Sequence, residues 1–262
     1  MGLLEGKKIL ITGIASERSI AYGIAKSCFR EGAKLCLTYA SDRFEGRLAK
    51  MALQFGDAPV YKMDATDEAA VGSVFERLAA DFGKIDGVVH AIAFAPREAI
   101  EGEFLDGCTR EAFATAMDVS VYTLAQMMRK GLPILSDKAS VVTLSYLGAE
   151  RFVEHYNTMG VAKAALEAEV RYLAGSLGPK GIRVNAVSAG PVRTLSSAAI
   201  ENFSKMLHFT ESVSPLRRCV TTEEIGNLAA FLLSDYASAV TGETIHADAG
   251  YSIVGAPFNP EA

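Results

Sequence analysis

Apolar residues fall along this chain in short unbroken runs, each closed by a turn residue and followed by a longer stretch of helix formers. Residues 8–12, K-I-L-I-T, stop at Gly13. Residues 33–39 (A-K-L-C-L-T-Y), 58–63, 85–93 (I-D-G-V-V-H-A-I-A), 139–145 (A-S-V-V-T-L-S), 181–187 (G-I-R-V-N-A-V) and 243–247 repeat the pattern. Such runs have no polar face, so each predicts a strand covered on both sides. Helices are predicted after the turn at 13–23, over 42–55, from the acidic start T-D-E-A-A near Asp64, and over 109–131, 155–178 and 222–234. Residues 94–108, with Pro96, read as irregular. Strands alternating with helices predict an α/β fold: a single doubly wound parallel sheet with helices on both faces. Ligands of such sheets lie beyond the carboxyl ends of the strands. Gly13, Tyr39, Asp64, Ile92, Tyr146 and Gly190 all end or follow a strand, so they share that edge.

Composition narrows the picture. With 262 residues, half of them hydrophobic, the chain can bury one large core, and residues 1–262 read as one domain without repeat or linker. A net charge of −5 argues against nucleic acid as the main partner. Cys28, Cys36, Cys108 and Cys219 are scattered, with no C-x-x-C, which fits a reducing cytoplasmic setting rather than a disulfide framework or zinc site. His90, His155, His208 and His246 do not cluster in sequence, so no metal is expected. The start M-G-L-L-E-G-K-K predicts neither a signal peptide nor myristoylation, and charges interrupt every apolar run, so no membrane span is expected.

Two stretches carry candidate chemistry. The turn G-I-A-S-E-R-S-I-A-Y-G joins a strand to a helix, where the first helical N–H groups could receive an anion. It lacks G-x-G-x-x-G, and a plain connection fits it equally well. The second stretch runs from Tyr146 to Lys163. Tyr156 and Lys163 are seven residues apart on a predicted helix, close to two turns, so they share one face about 10 Å apart along the axis. A nearby ammonium favours a phenolate, so a lowered tyrosine pKa is expected and Tyr156 would serve a developing oxyanion. Alternatively, the pair is an incidental feature of an exposed helix.

The motifs T-G-I-A-S-x-x-S-I-A-Y-G-I-A, H-A-I-A-F-A, L-S-Y-L-G-A-E-R, Y-N-T-M-G-V-A-K-A-A-L-E and R-V-N-A-V-S-A-G-P-V-R-T, taken together, resemble the bacterial NADH-dependent enoyl-[acyl-carrier-protein] reductases. These form a divergent branch of the short-chain dehydrogenase/reductase family. The resemblance runs from Leu3 to about Ile253, and Tyr-x6-Lys is its specific part. The commoner Tyr-x3-Lys spacing would put the lysine at Gly160.

The resemblance implies a Rossmann-type fold with a helical substrate lid at 194–215. It implies reduction of a trans-2-enoyl thioester on acyl carrier protein, with hydride from NADH, as the last step of each fatty acid elongation cycle. Tyr156 and Tyr146 would be the catalytic donors, and Lys163 would hold the nicotinamide ribose. Gly13, Ser19 and Ile20 would surround the pyrophosphate, Asp64 and Ala65 the adenine, and Ile92 the ribose. Val192, Arg193, Thr194, Leu195 and Ser196 would meet the nicotinamide end. Ala40 also belongs to the cofactor set, although its side chain cannot bond a ribose. Beside it, Ser41 and Arg43 would tolerate a 2′-phosphate and Asp42 would repel one, so NADH is expected and NADPH is the alternative. Ala95, Tyr146, Tyr156, Met159, Ile200, Phe203 and Met206 would face substrate. Ala199, Ile200, Phe203, Met206 and Leu207 form the lid's apolar stripe. Lys205, Arg193, Arg217 and Arg218 are basic groups an acidic carrier could meet. The family implies a homotetramer, and helices 109–131 and 155–178 have apolar positions on more than one face. Two other readings remain at this point: a short-chain carbonyl reductase or hydroxyacyl dehydrogenase, disfavoured by Tyr-x6-Lys and by Thr143 in place of a serine, and a dinucleotide-sensing regulator.

Overall fold

In the computed structural model, residues 2–194 and 203–255 are described. Seven parallel strands form one sheet: β1 (Lys8–Ile11), β2 (Lys34–Tyr39), β3 (Val60–Lys62), β4 (Ile85–His90), β5 (Leu135–Ser145), β6 (Arg183–Ala189) and β7 (Thr244–Ala247). Their spatial order is β3-β2-β1-β4-β5-β6-β7, and every pair is parallel. The order reverses between β1 and β4, which leaves a crevice beyond their carboxyl ends. Thr12, fully buried, closes the base of that crevice: its hydroxyl donates to Val89 O at 2.9 Å and accepts from Ala91 N at 3.2 Å.

The unalternated apolar runs have a simple reading in three dimensions. Ile9, Ile11, Leu35, Leu37, Val89, Val142 and Val187 pack against α1 (Ile20–Arg30), α2 (Glu45–Ala52) and α9 (Thr222–Leu233). Their neighbours Leu10, Cys36, Val88, Val141 and Ala186 point the opposite way, against α3 (Glu68–Phe82), α6 (Thr123–Gly131) and α7 (Asn157–Leu177). Strand positions covered on both faces are therefore mostly apolar, without alternation. Among the described residues the remaining α-helices are α4 (Phe104–Gly107), α5 (Arg110–Met117) and α8 (Phe203–Val213). Side-chain caps set several starts: Ser19 for α1, Asp67 for α3, Thr109 for α5, and a full Thr221/Glu224 capping box for α9.

Two expectations change. The strand predicted at 139–145 begins at Leu135, which pairs with Ile85. Ser136, Asp137 and Lys138 conceal it, because they run past a register shift where Ser136 Oγ bonds Asp86 at 2.9 Å. The single helix predicted at 109–131 is α5 and α6 joined by a π-helical turn at Asp118–Tyr122. Ser120 and Thr123, both buried, face inward from this widened turn and bond the Phe94 backbone and His90. No helix among the described residues is long and apolar enough to cross a membrane.

Helices α1 and α9 touch closely enough that Gly23 has no room for a side chain: a Cβ there would lie 2.3 Å from Thr222 O. Gly23→Ala must push the helices apart, and we expect it to cost about 1–3 kcal/mol of stability in urea unfolding.

Candidate active site

A cavity of about 400 Å³ opens at the carboxyl edge of the sheet, where β1, β4, β5 and β6 end. Its wall begins at Gly13 and the first residues of α1, continues through Ala91–Ala95, and passes the end of β5. It is completed by Tyr156, Met159 and Lys163 from the start of α7, by Ala189–Val192, and by Phe203 and Met206 of α8. Of the residues expected from sequence, Gly13, Ser19, Ile20, Ile92, Ala95, Tyr146, Tyr156, Met159, Lys163, Val192, Thr194, Phe203 and Met206 meet here.

Several others do not. Ala40, Asp64 and Ala65 lie at the ends of β2 and β3, outside the cavity wall. Asp64 is exposed, and one carboxylate oxygen accepts from Thr66 N and Oγ1 at 2.9 and 2.7 Å. Arg193 is exposed and also outside the wall. Leu195, Ser196, Ala199 and Ile200, with part of the 194–215 lid, lie outside the described residues. Arg218 is held by Glu224 in a bidentate pair at 2.9 and 2.6 Å, so its charge is already matched, while Arg217 is exposed and bonds the Ser212 carbonyl.

The turn after β1 suits a dinucleotide. Gly13 has φ +79°, and a Cβ there would come within 1.9 Å of Ala91 O. Only a bare backbone fits, beside the amino end of α1, where unpaired N–H groups favour phosphate. Ser19 caps that helix, its hydroxyl accepting from Tyr22 N at 3.2 Å and donating to Ser16 O at 2.7 Å.

Tyr146 and Tyr156 meet edge to face, ring centroids 4.8 Å apart. The geometry depends on glycines whose importance is not evident from spacing alone. A Cβ on Gly148 would sit 2.4 Å from the Tyr156 ring, and one on Gly160 would lie 2.8 Å from Gly148 O. Gly160 thus occupies the usual lysine position of Tyr-x3-Lys because the α7 backbone must press on the 148 turn. Tyr146 Oη also reaches Met206 Sδ at 3.6 Å, linking the phenol pair to α8.

Lys163 is buried, and its ammonium donates to Leu144 O at 2.7 Å. Burial pulls it down to about 8, partly opposed by the Glu167 carboxylate. The expected lowering of the Tyr156 pKa does not occur. Burial, then the neighbouring Tyr146, pushes this phenol up, and burial does the same to Tyr146. Desolvation of the phenolate outweighs the attraction of an ammonium that is turned to the Leu144 carbonyl. Tyr156 is therefore a neutral hydrogen-bond donor.

His90 lies behind the site. Burial, then the charge of Lys163, pulls its pKa down to about 3, so it is neutral. Thr123 Oγ1 donates to Val119 O and must therefore accept from His90 Nε2 at 2.9 Å. Thr143 meets Nδ1 at 2.9 Å, so its hydroxyl is committed to His90 and lies outside the cavity wall. The position where short-chain carbonyl reductases carry a serine is thus unavailable to a substrate oxygen. Among the described residues no group of three His, Cys, Asp or Glu side chains could hold a metal.

A crevice at the strand-order reversal, a glycine turn for a pyrophosphate, and a tyrosine–lysine pair define a dinucleotide-dependent oxidoreductase of the short-chain dehydrogenase type. The family model described as "Enoyl-(Acyl carrier protein) reductase" matches residues 13–252. The NADH-dependent enoyl-[acyl-carrier-protein] reductase of Escherichia coli is 48% identical, over 97% of both chains. The Aquifex aeolicus enzyme of that name superposes with a TM-score of 0.94 at 48% identity, covering 97% of this chain and 100% of that one. The Anaplasma phagocytophilum enzyme, solved with NAD, gives 0.93 at 42%, covering 100% and 97%. The chain belongs to the NADH-dependent enoyl-[acyl-carrier-protein] reductase family.

Gly148→Ala should displace the Tyr156 ring. We expect kcat to fall about 100-fold while NADH affinity, measured by fluorescence titration, is kept.

Proposed function

We infer that this site performs the family's reaction with the residues described above. The enzyme reduces the trans-2 double bond of enoyl thioesters on acyl carrier protein with NADH, the final step of the fatty acid elongation cycle. When bound, NADH supplies the hydride that goes to the β-carbon. Negative charge then grows on the thioester oxygen. Tyr156 donates a hydrogen bond to that oxygen, and Tyr146 is a second donor and wall. Neutral phenols in a largely apolar cavity stabilise an oxyanion more strongly than they would in water. Lys163 holds the ribose hydroxyls and keeps the nicotinamide end in register. The observation that carries this reading is the convergence of Tyr146, Tyr156 and Lys163 on one cavity with Gly13 and the start of α1.

The remaining roles follow position. Gly13, Ser19 and Ile20 surround the pyrophosphate, and Ile92 the ribose. Val192, Thr194 and the residues after it meet the carboxamide. Asp64, Ala65 and Ala40 take the adenine end, further along the same edge. Ala95, Met159, Phe203 and Met206 face the acyl chain, with 194–215 as its lid. The chain works as one unit, in the cytoplasm.

Tyr156→Phe should lower kcat about 100- to 1,000-fold on crotonyl thioester, followed by NADH absorbance, with little change in NADH affinity. Lys163→Ala should weaken NADH binding at least tenfold. Activity restricted to acetoacetyl thioester would overturn the reading.

A homotetramer is the assembly we propose. Tyr172 is 83% exposed on α7, and Val161 on the same helix, with Phe113 and Tyr122 on and after α5, add further exposed apolar surface. Large apolar groups on paired helices support a face covered by another copy. Tyr172→Glu should shift sedimentation from tetramer to smaller species; an unchanged tetramer would exclude α7 from the interface.

A further inference from the structure

One buried carboxylate beside the site has no part in the mechanism above. Glu167 is 8% exposed and sits one helical turn beyond Lys163 on α7. Its Oε1 accepts a hydrogen bond from Ser145 Oγ, and Ser145 is 4% exposed at the last position of β5. Ser145 lies between the two residues of β5 that matter most to the site. Leu144, before it, supplies the carbonyl that holds Lys163 Nζ at 2.7 Å. Tyr146, after it, packs edge to face on Tyr156. A grip on residue 145 is therefore a grip on both.

We propose that Glu167 is a positioning residue for the reduction: through Ser145 it fixes the backbone at 144–146, and through its charge it supports the ammonium of Lys163. The proposal rests on the cofactor-holding role given to Lys163 above.

Two parts of the side chain's action separate chemically. The hydrogen bond from Ser145 needs only an acceptor, which a glutamine oxygen also provides. The charge is additional, and a buried carboxylate costs desolvation energy. That charge acts on Lys163: Glu167 raises the lysine's pKa against the larger effect of burial. The other groups around Lys163 are His90 from β4, which is held neutral, and the phenols of Tyr146 and Tyr156, both held protonated. Around Glu167 itself stand Ser145 from β5, Glu150 from the turn after β5, His246 from β7 and Arg171 from α7. Burial and Glu150 push its pKa up, while Ser145, His246 and Arg171 pull it down. His246 Nε2 and Glu150 Oε1 are 3.0 Å apart without hydrogen-bond geometry.

The sign for the enzyme follows. Lys163 holds a ribose as an ammonium and loses that form as pH rises through about 8. Removing the Glu167 charge lowers the lysine's pKa further, so binding should fail at a lower pH.

The test is Glu167→Gln, checked for folding by circular dichroism and compared with wild type, Lys163→Ala, Glu167→Asp and Ser145→Ala. In cofactor-free enzyme, pH-dependent reductive methylation of Lys163, read by mass spectrometry, should shift down by about one pH unit in Glu167→Gln. NADH affinity should be near wild type at pH 6.5 and about tenfold weaker at pH 8.5. The alkaline limb of kcat/KM for NADH should move with it. Glu167→Asp, which keeps the charge, should return the methylation profile toward wild type. Ser145→Ala should lower kcat at every pH, because the Tyr146 segment loses its anchor. An unchanged Lys163 profile with pH-independent NADH affinity in Glu167→Gln would overturn the proposal, as would an equal loss at all pH values. If Glu167→Gln does not fold, an unshifted Lys163 profile in Ser145→Ala together with full activity overturns it. Normal NADH binding by Lys163→Ala would instead remove the role given to the lysine, while leaving its titration by Glu167 measurable.

Discussion

The arrangement of this site depends on one buried ammonium held by one backbone carbonyl. Lys163 reaches Leu144 O at 2.7 Å from a helix packed across the sheet. An ammonium in such surroundings is costly, and burial pulls its pKa to about 8. The contact exists because both partners are fixed by larger structures. Leu144 lies in a strand paired with β6 on one side, in a sheet whose strands are parallel throughout. Lys163 lies on a 21-residue helix whose apolar face fills the core from Met159 to Leu177. Moving either end would mean moving a layer of the domain.

From that contact the rest of the site follows geometrically. Once Lys163 is pinned to residue 144, the start of α7 has to pass close over the turn after β5. Two glycines, Gly148 and Gly160, make that approach possible, and the Tyr156 ring occupies the space they leave. The backbone shows the constraint: His155 and Asn157, on either side of Tyr156, have φ of +60° and +40°. Such values are uncommon outside glycine, and His and Asn are among the residues that adopt them most readily. Tyr156 is thus aimed by its neighbours' backbone as well as by its own rotamer.

Much of this was legible in the sequence, and the exceptions have identifiable causes. The parallel sheet is visible because each strand is apolar on both faces, as Ile9 against Leu10 and Val88 against Val89 illustrate. The edge of the sheet follows from where those runs stop, and the tyrosine–lysine face from helical period. The start of β5 was concealed because Ser136–Lys138 are polar where the strand leaves the core. The π-turn at Asp118–Tyr122 was concealed because no Gly or Pro marks it. The direction of the Tyr156 shift could not be read from spacing. Seven residues on a helix bring two side chains near each other, but burial and the orientation of Lys163 decide which effect wins. Glu167 did leave a trace: an acidic residue between Leu166 and Val170 on the buried face, one turn from the lysine.

On the mechanism proposed above, selectivity for the enoyl group follows from which hydroxyls remain available. The end of β5 and the residues leading into α7 carry the hydroxyls of Thr143, Ser145, Tyr146 and Tyr156. Two are drawn away, Thr143 to His90 and Ser145 to Glu167. Ser145 lines the cavity with its hydroxyl given to Glu167, and the other two are large phenols at the apolar wall. A ketone being reduced needs a proton delivered to its own oxygen at the carbon that takes hydride. An enoyl thioester develops its charge two atoms further away and needs a donor set back from the hydride acceptor. Phenols reach that far and a threonine hydroxyl does not, so diverting Thr143 while keeping Tyr146 and Tyr156 suits the site to the longer geometry.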